Sequence, residues 1–449
     1  MIVCKFGGTS VQDAPAIERL VGIIGARVTQ RPLVVVSALA GVTDDLLELA
    51  RLAESRGDEA LDRLEALMTR HEETARLLAG GEQALDAIRA VAGALADDLA
   101  AVAGRRASPR ELDAIASRGE LWSSRLVAAA LEGAGLPARW VDVREIMITD
   151  DRYGRATPYA QYLAQRAREC VRPMLEAGLV PVTQGFIGAT ADGVTTTLGR
   201  GGSDFTAALL GAALKAARVE IWTDVDGLMT ADPRIVRSAR TLRVASYEEA
   251  AELATFGAKV LHPATAVPLV RENIPIVVLN SHRPGNGGTT IESSAELERL
   301  GDSPIRSISW KKGITVINIR APRMLGAYGF LRQLFEVFER HEVVVDVLAS
   351  SEVSVSLTIE DRSRLDPVVR ELEELGEIWV EEGRAIVAVV GIGLKQAAGL
   401  AGRVFGALEH TCVEVISQGA SAINMTFVVK EEDGPEVVRA LHRTFFGSD

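Results

Sequence analysis

Cysteine is scarce in this sequence: Cys4, Cys170 and Cys412 are the only 3 in 449 residues, set far apart with no CxxC and no cysteine–histidine cluster. That excludes a disulfide framework and a thiolate zinc site, and it suits a reducing compartment. Positive charge is also in deficit. Lys and Arg number 49 against 61 Asp and Glu, a formal net charge of −12 that disfavours a nucleic-acid partner. A small anionic ligand would need a locally positive pocket. No apolar run reaches the roughly 18 residues of a membrane-spanning helix. The opening MIVCKFGGTS lacks the basic and apolar regions of a signal peptide. The expectation is a soluble, cytoplasmic protein with no membrane partner, and a chain of 449 residues is too long for one core. The nucleotide-kinase signatures GxxxxGK[ST], HRD and DFG are missing as well, so any handling of ATP needs another phosphate cradle.

What is present begins with short apolar runs that stop at glycine or polar turns. Met1–Phe6 and Leu33–Val36 read as strands buried on both faces, with further strands at Ala138–Val141, Leu179–Gln184, Arg218–Thr223 and Ile276–Leu279. Pro15–Val28 has helical spacing, Asp44 to about Gly104 reads as two or three long helices forming a side layer, and Ser108-Pro109 starts another helix that carries Arg118–Ser123. Strands alternating with helices predict an α/β fold with a mostly parallel central sheet, whose ligands sit at the strands' carboxyl edge.

The turn formers of His282–Thr290 mark a boundary, after which the rhythm changes. Ile314–Ile319, Val343–Leu348, Val353–Ile359 and Glu377–Val380 read as strands, with helices at Gly329–Arg340 and Leu365–Leu375, giving a βαββαβ unit. A second unit follows: strand Ala385–Val390, helix Gln396–Glu409, strands Val413–Ile416 and Ala422–Val428, and helix Pro435–Phe446. It is one strand short, and Ile305–Trp310 could close it. The expected domains are 1–290, 305–382 (with 305–310 able to pair with the last module) and 383–449.

Four stretches carry chemistry. Val194–Lys215 turns through Gly199-Arg200-Gly201-Gly202 into a helix with Ser203 or Asp204 at the N-cap position. Its open N–H groups and the Arg200 fork suit a carboxylate or phosphate, although a capped helix with a surface arginine gives the same pattern. Lys5 ends an apolar strand beside Gly7 and Gly8, where a lysine calls for an anion or snorkels to an edge. Thr223-Asp224-Val225-Asp226 and Asp232-Pro233-Arg234 could hold ribose, phosphates and, through Asp224 or Asp226, a magnesium ion; taken alone, they fit two Asx turns better. Lys259 adds a cation beside His262-Pro263, where the histidine suits a structural hydrogen bond better than a base.

Taken together, KFGGTS, SRGEL, GFIGAT, TTTLGRGGSDFTAALL, IWTDVDGL, TADPR and FGAKVLHP, in this order, resemble the aspartate kinases (aspartokinases), and the likeness covers nearly the whole chain. The resemblance implies an amino-acid-kinase three-layer fold followed by two ACT-like modules. It implies transfer of the γ-phosphate of ATP, with Mg2+, to the side-chain carboxylate of L-aspartate, giving 4-phospho-L-aspartate. This is the first step toward lysine, threonine and methionine. An ionised carboxylate needs no general base, so the absence of a poised histidine agrees. Residue by residue, Lys5 would face the transferring phosphate, with N–H groups of Gly7, Gly8, Gly201 and Gly202 around it. Arg200 would clamp the substrate's α-carboxylate and Glu120 its ammonium. Thr43, Phe186 and Ser203 would line the pocket, and Asp204 would orient Lys5 or the metal. Thr223, Asp224, Arg234 and Lys259 would hold the nucleotide, and Met229 stands where relatives often carry a tyrosine against the adenine.

In the C-terminal part, Met324–Leu331, Val343–Asp346 and Ser350–Ser354 look like the effector site of lysine-inhibited aspartokinases. N–H groups at Gly329, Phe330 and Leu331 would take a carboxylate, Asp346 an amine, and Glu352 would serve as a second carboxylate. Met324, Val344, Val345 and Ser351 would complete the site, and Ala327 replaces a hydroxyl seen in some relatives. L-lysine is the expected effector and a homodimer or dimer of dimers the expected assembly. The length leaves no room for a fused homoserine dehydrogenase. Two rivals remain: a kinase acting on glutamate, and a non-catalytic amino-acid sensor using only the ACT-like half.

Overall fold

The computed structural model describes residues 1–257, 263–293 and 304–447. The chain forms two compact units, one of Met1–Leu228, Arg243–Tyr247 and Val260–Glu298, the other of Met229–Leu242, Glu248–Lys259 and Arg299–Asp449.

The strands of the first unit are β1 (Ile2–Phe6), β2 (Pro32–Val36), β3 (Ala138–Trp140), β4 (Val180–Gln184), β5 (Ile187–Ala189), β6 (Thr195–Thr197), β7 (Val219–Thr223), β8 (Val244–Ser246), β9 (Ile276–Asn280) and β10 (Thr289–Glu292). Eight of them form one sheet in the order β3-β4-β2-β1-β7-β9-β10-β8, and β5 and β6 make a separate ribbon. Every neighbouring pair in the large sheet is parallel except β9 with β10. β1, β2 and β4 are buried along their whole length, which is why they read as unbroken apolar runs.

Helix Ala14–Gly25 starts on Asp13, whose carboxylate accepts the Ala16 N–H, with Pro15 in its first turn. It stops three residues short of the predicted Val28, because a 3-10 turn at Val28–Gln30 and a left-handed Arg31 (φ 52°) lead into β2. The Ala- and Leu-rich stretch resolves into Val42–Ala53, Gly57–Leu77 and Leu85–Val102, whose Leu46, Leu49, Leu64 and Leu95 share one core with β1 and β2. The helix expected from Ser108 is in fact two, Pro109–Ala116 and Arg118–Gly133, meeting at Ser117. A Cβ at Gly119 would sit 2.7 Å from the Ala38 Cβ, so glycine lets the second helix start hard against the loop after β2.

The second unit holds β11 (Ser307–Arg320), β12 (Leu348–Ser350), β13 (Ser354–Ile359), β14 (Glu377–Val390), β15 (Val415–Gln418) and β16 (Asn424–Lys430) in an antiparallel sheet ordered β12-β13-β11-β14-β16-β15. Two strands are longer than their sequence pattern suggests. Glu377–Val380 and Ala385–Val390 are one 14-residue strand, and Ser307–Arg320 is another. The first half of β11 lies against the end of β14, Ser307 opposite Val390. After an irregularity between Lys311 and Val316, its second half pairs with β13 and the start of β14. The strand expected at Val343–Leu348 pairs only over Leu348–Ser350, and the helix expected over Gln396–Glu409 spans Leu400–Gly406, entered through Gly399 at φ 75°. Helix Phe330–Arg340 buries Phe330, Leu334, Val337 and Phe338 on this sheet.

Candidate active site

The carboxyl ends of β1, β2 and β4 and the start of helix Gly202–Leu214 enclose a cleft of about 330 Å3. Its lining includes Lys5, Gly8, Thr43, Glu120, Phe186, Arg200, Gly201, Gly202, Ser203 and Asp204. Ten of the residues expected from sequence thus converge within the first unit.

Lys5 is 8% exposed, and its Nζ lies 2.6 Å from Asp204 Oδ1. The expected N-cap at Ser203 or Asp204 is instead Gly201, left-handed at φ 74°, which places Asp204 in the first helical turn. The glycine N–H groups divide. Gly7 donates to Trp222 O (3.0 Å) and Gly202 to Gly199 O (2.9 Å), so these two are spent. The N–H groups of Gly8, Gly201, Ser203 and Asp204 have no acceptor among the described residues and remain open to an anion. Arg200 is exposed and makes no ion pair among the described residues.

Glu120 is the electrostatic anomaly. It is 3% exposed on a helix start packed against the loop after β2. One carboxylate oxygen accepts the Ala38 N–H at 3.3 Å and the other has no partner. Burial pushes its pKa up to about 8, only partly offset by backbone N–H donors. A cation brought into the cleft would meet a carboxylate lacking one.

Two glycines fix the shape of the pocket. A Cβ at Gly185 would lie 2.5 Å from the Ser203 Cβ, and one at Gly202 would lie 2.8 Å from Phe186 Cδ2. Phe186 itself is left-handed at φ 68°, with its N–H held by Thr206 Oγ1 at 3.1 Å. Asp113 was not foreseen. This buried carboxylate accepts from the N–H of Gly154 (2.9 Å) and from the N–H (2.8 Å) and hydroxyl (2.7 Å) of Thr197, pinning β6 to the turn on which Gly199 rests. Its signal in the sequence is position: it shares a helix face with Ala116 and Ser117, both buried, where a lone charge demands partners.

The residues expected for the nucleotide are less assembled. Thr223 ends β7 in the first unit and donates to exposed Asp224 at 3.1 Å. Asp226 is taken up by Arg283 (2.6 Å) and Asn280 (2.7 Å), so it serves as a structural pin and leaves Asp224 as the open carboxylate. Met229 and Arg234 belong to the second unit, where Arg234 forks onto Asp232 at 2.7 Å. Lys259 and His262 lie outside the described residues. Among the described residues no cluster of three His, Cys, Asp or Glu could hold a metal ion, and no helix is long and apolar enough to cross a membrane.

In the second unit, Met324, Phe330 and Val345 share one apolar cluster. Gly329 is a left-handed N-cap (φ 82°), while Leu331 and Val344 stay exposed. Ser351 Oγ meets Ser354 Oγ at 2.7 Å, and Glu352 is exposed. Asp346, expected to be free for an amine, is occupied: Lys311 Nζ lies 3.2 Å from its Oδ1.

The Amino acid kinase family matches residues 1–280 and the ACT domain matches residues 387–445. Lysine-sensitive aspartokinase 3 of Escherichia coli is 41% identical over 459 residues, covering 99% of both chains. The chain belongs to the aspartokinases. Two crystal structures of E. coli aspartokinase III bear this out in three dimensions. The one in complex with aspartate and ADP (R-state) has a TM-score of 0.86 at 40% identity, covering 99% of this chain and 100% of that one. The one in complex with lysine and aspartate (T-state) has a TM-score of 0.84 at 40% identity, covering 99% of each. As an aspartokinase the protein is an ATP-dependent kinase with the expected amino-acid-kinase fold and an ACT-like antiparallel sheet.

Proposed function

We propose that the cleft around Lys5, Glu120 and Arg200 is where this aspartokinase phosphorylates L-aspartate, giving 4-phospho-L-aspartate, the first step toward lysine, threonine and methionine. The observation that carries the assignment is Glu120: a buried carboxylate with an unpaired oxygen fits the ammonium of a free amino acid and has no use for an acylated one. Arg200, exposed and unpaired among the described residues, clamps the α-carboxylate bidentately. Thr43, Phe186 and Ser203 line the space between them.

Held at both α-groups, the substrate turns its side-chain carboxylate toward Lys5. One of its oxygens attacks the γ-phosphorus of ATP and forms the acyl–phosphate bond as the bond to the β-phosphate oxygen breaks, leaving ADP. No proton has to move, since the nucleophile is ionised at neutral pH. The difficulty is bringing anions together, and Lys5 with the open N–H groups of Gly8, Gly201, Ser203 and Asp204 supplies the compensating charge. Gly7, whose N–H is held by Trp222 O, follows Lys5 by two positions and adds no free donor. Asp204 keeps Lys5 in place. Thr223 and Asp224, with Met229, Arg234 and Lys259 by resemblance, are assigned to the nucleotide. Mg2+ would enter on the phosphates with Asp204 or Asp224 as its protein ligand, a role that needs only one or two carboxylates, and it would neutralise the transferring group.

L-lysine is proposed as feedback effector, bound by the first turn of helix Phe330–Arg340 and by Asp346 and Glu352, with Met324, Gly329, Leu331, Val344, Val345 and Ser351 around it. Exposed Tyr328, Leu331, Phe335 and Val344 support a homodimer or dimer of dimers through this unit. A cytoplasmic location fits the free cysteines. The test is incubation with Mg-ATP, aspartate and hydroxylamine: acyl hydroxamate that depends on aspartate and declines with added lysine is expected. No product with aspartate would overturn the assignment, and product indifferent to lysine would remove the effector.

A further inference from the structure

At the irregular centre of β11, Lys311 stands between two carboxylates. Its Nζ is 3.2 Å from Asp346 Oδ1 and 2.8 Å from Glu360 Oε2. The two acids differ in setting. The Asp346 side chain is 13% exposed and that of Glu360 is 64% exposed. The second Asp346 oxygen, Oδ2, is buried and accepts no hydrogen bond among the described residues. Backbone bonds on both sides, Asp346 N–H to Thr358 O and Thr358 N–H to Val347 O, both 2.9 Å, hold the carboxylate where it is.

In this arrangement the Asp346 carboxylate is closed to an incoming amine. One oxygen is covered by an ammonium of the chain itself and the other is shut away from solvent. We propose that Lys311 is a built-in competitor for the effector's amine, so that an effector reaches Asp346 only by driving Lys311 off onto Glu360. The proposal rests on the reading of Asp346 as the amine's partner. A lysine side chain is the natural occupant of a site that recognises free lysine, since both offer a primary ammonium on an alkyl stem. Glu360 makes the exchange feasible. When Lys311 leaves Asp346 it keeps a carboxylate at hydrogen-bond distance, so no charge is stranded in a half-buried place. The exchange also reaches the backbone. Lys311 is the last residue of β11 in register with Ile386 before the shift at Ile314. The half of β11 before it pairs with the segment of β14 that adjoins β16, and the half beyond it pairs with β13. Releasing Lys311 therefore acts at the point where one strand passes from one βαββαβ module to the other.

The experiment uses the full chain and free L-lysine as probe, reading both hydroxamate inhibition and direct binding by calorimetry. Lys311→Met removes the competitor and leaves two carboxylates facing the ligand. The lysine concentration for half-inhibition should fall about tenfold, the scale of one charge-assisted hydrogen bond. Glu360→Gln, a change at an exposed side chain, removes the fallback partner and should raise that concentration severalfold. An unchanged or raised value in Lys311→Met overturns the proposal, as does an unchanged value in Glu360→Gln. Asp346→Asn separates the two layers. Lost inhibition there with an unaltered Lys311→Met sinks only the competition, whereas retained inhibition in Asp346→Asn sinks the underlying assignment of the site as well.

Discussion

Lys5, at the carboxyl end of β1, and Asp204, in the first turn of helix Gly202–Leu214, form an ion pair of 2.6 Å although 199 positions separate them, 204 less 5. The pair closes the floor of the cleft and fixes a cation where negative charge must gather. Replacing Lys5 by Ala should leave the fold intact, because the remaining β1 side chains are buried apolar ones. Turnover should fall about a hundred- to a thousandfold, the usual cost of removing one preorganised donor. Steady-state kinetics with circular dichroism checks this, and near-parental kcat would show that another group carries the charge.

Glu120 makes aspartate binding depend on pH in a definite direction. Burial raises its pKa to about 8, so without a bound cation it is mostly protonated at pH 7. Binding an ammonium favours the carboxylate, so uptake of aspartate should release a proton, and affinity should rise as pH climbs toward 8. Stability of the ligand-free protein has the opposite slope. The folded state holds a proton that the unfolded chain, with an ordinary glutamate, loses near pH 4.5, so this group's contribution declines from there up to about 8. Calorimetry in buffers of different ionisation enthalpy measures the released proton, and Glu120→Gln should abolish it while raising KM for aspartate.

Arg200 makes no ion pair among the described residues, so its substitution should weaken binding and spare stability. Arg200→Ala should raise KM for aspartate about 10- to 100-fold, the equivalent of one or two charge-assisted bonds, with little change in Tm. Arg200→Lys keeps the charge and loses the fork, and should fall between. A KM for ATP that rises by the same factor would move Arg200 from the amino acid to the nucleotide.

Much of the first unit was legible because its central strands β1, β2 and β4 are buried on both faces, and β1 and β4 end in glycine turns, at Phe6-Gly7-Gly8 and Gln184-Gly185. What the sequence could not show was how donors are spent. Gly7 and Gly202 read as phosphate cradles like Gly8 and Gly201, yet Trp222 O and Gly199 O, the first more than 200 residues away from its donor, already take their N–H groups. Asp226 read like Asp224 until Arg283 closed on it. In the second unit, alternation alone located the strands but could not tell two short strands from one long bulged strand, because Lys311–Gly313 breaks the pattern without ending the pairing. Apart from Gly202, whose acceptor is the nearby Gly199, these misses have one origin: a partner distant in sequence decides the fate of a local group.

Asp113 shows how such a partner can govern the cleft without touching substrate. Both of its oxygens are filled by donors from Gly154 and Thr197. Thr197 ends β6, two residues before Gly199, and a Cβ at Gly199 would lie 3.0 Å from Gly154 O, so the loop bearing Arg200 rests on the turn that Asp113 holds. Asp113→Asn keeps the volume and, with its oxygen in the place of Oδ2, can still accept both backbone N–H groups, but its NH2 then displaces the acceptor of the Thr197 hydroxyl and faces the Gly154 N–H, at a cost of about 1–3 kcal/mol. A general loss of stability would lower Tm and leave both substrates' KM values alone. A positioning role predicts more: KM for aspartate rises severalfold as the Arg200 loop loses its rest, while KM for ATP holds steady. Initial rates over a grid of both substrates, at a temperature well below Tm, separate these outcomes. A lowered Tm with both KM values unchanged would reduce Asp113 to a structural residue.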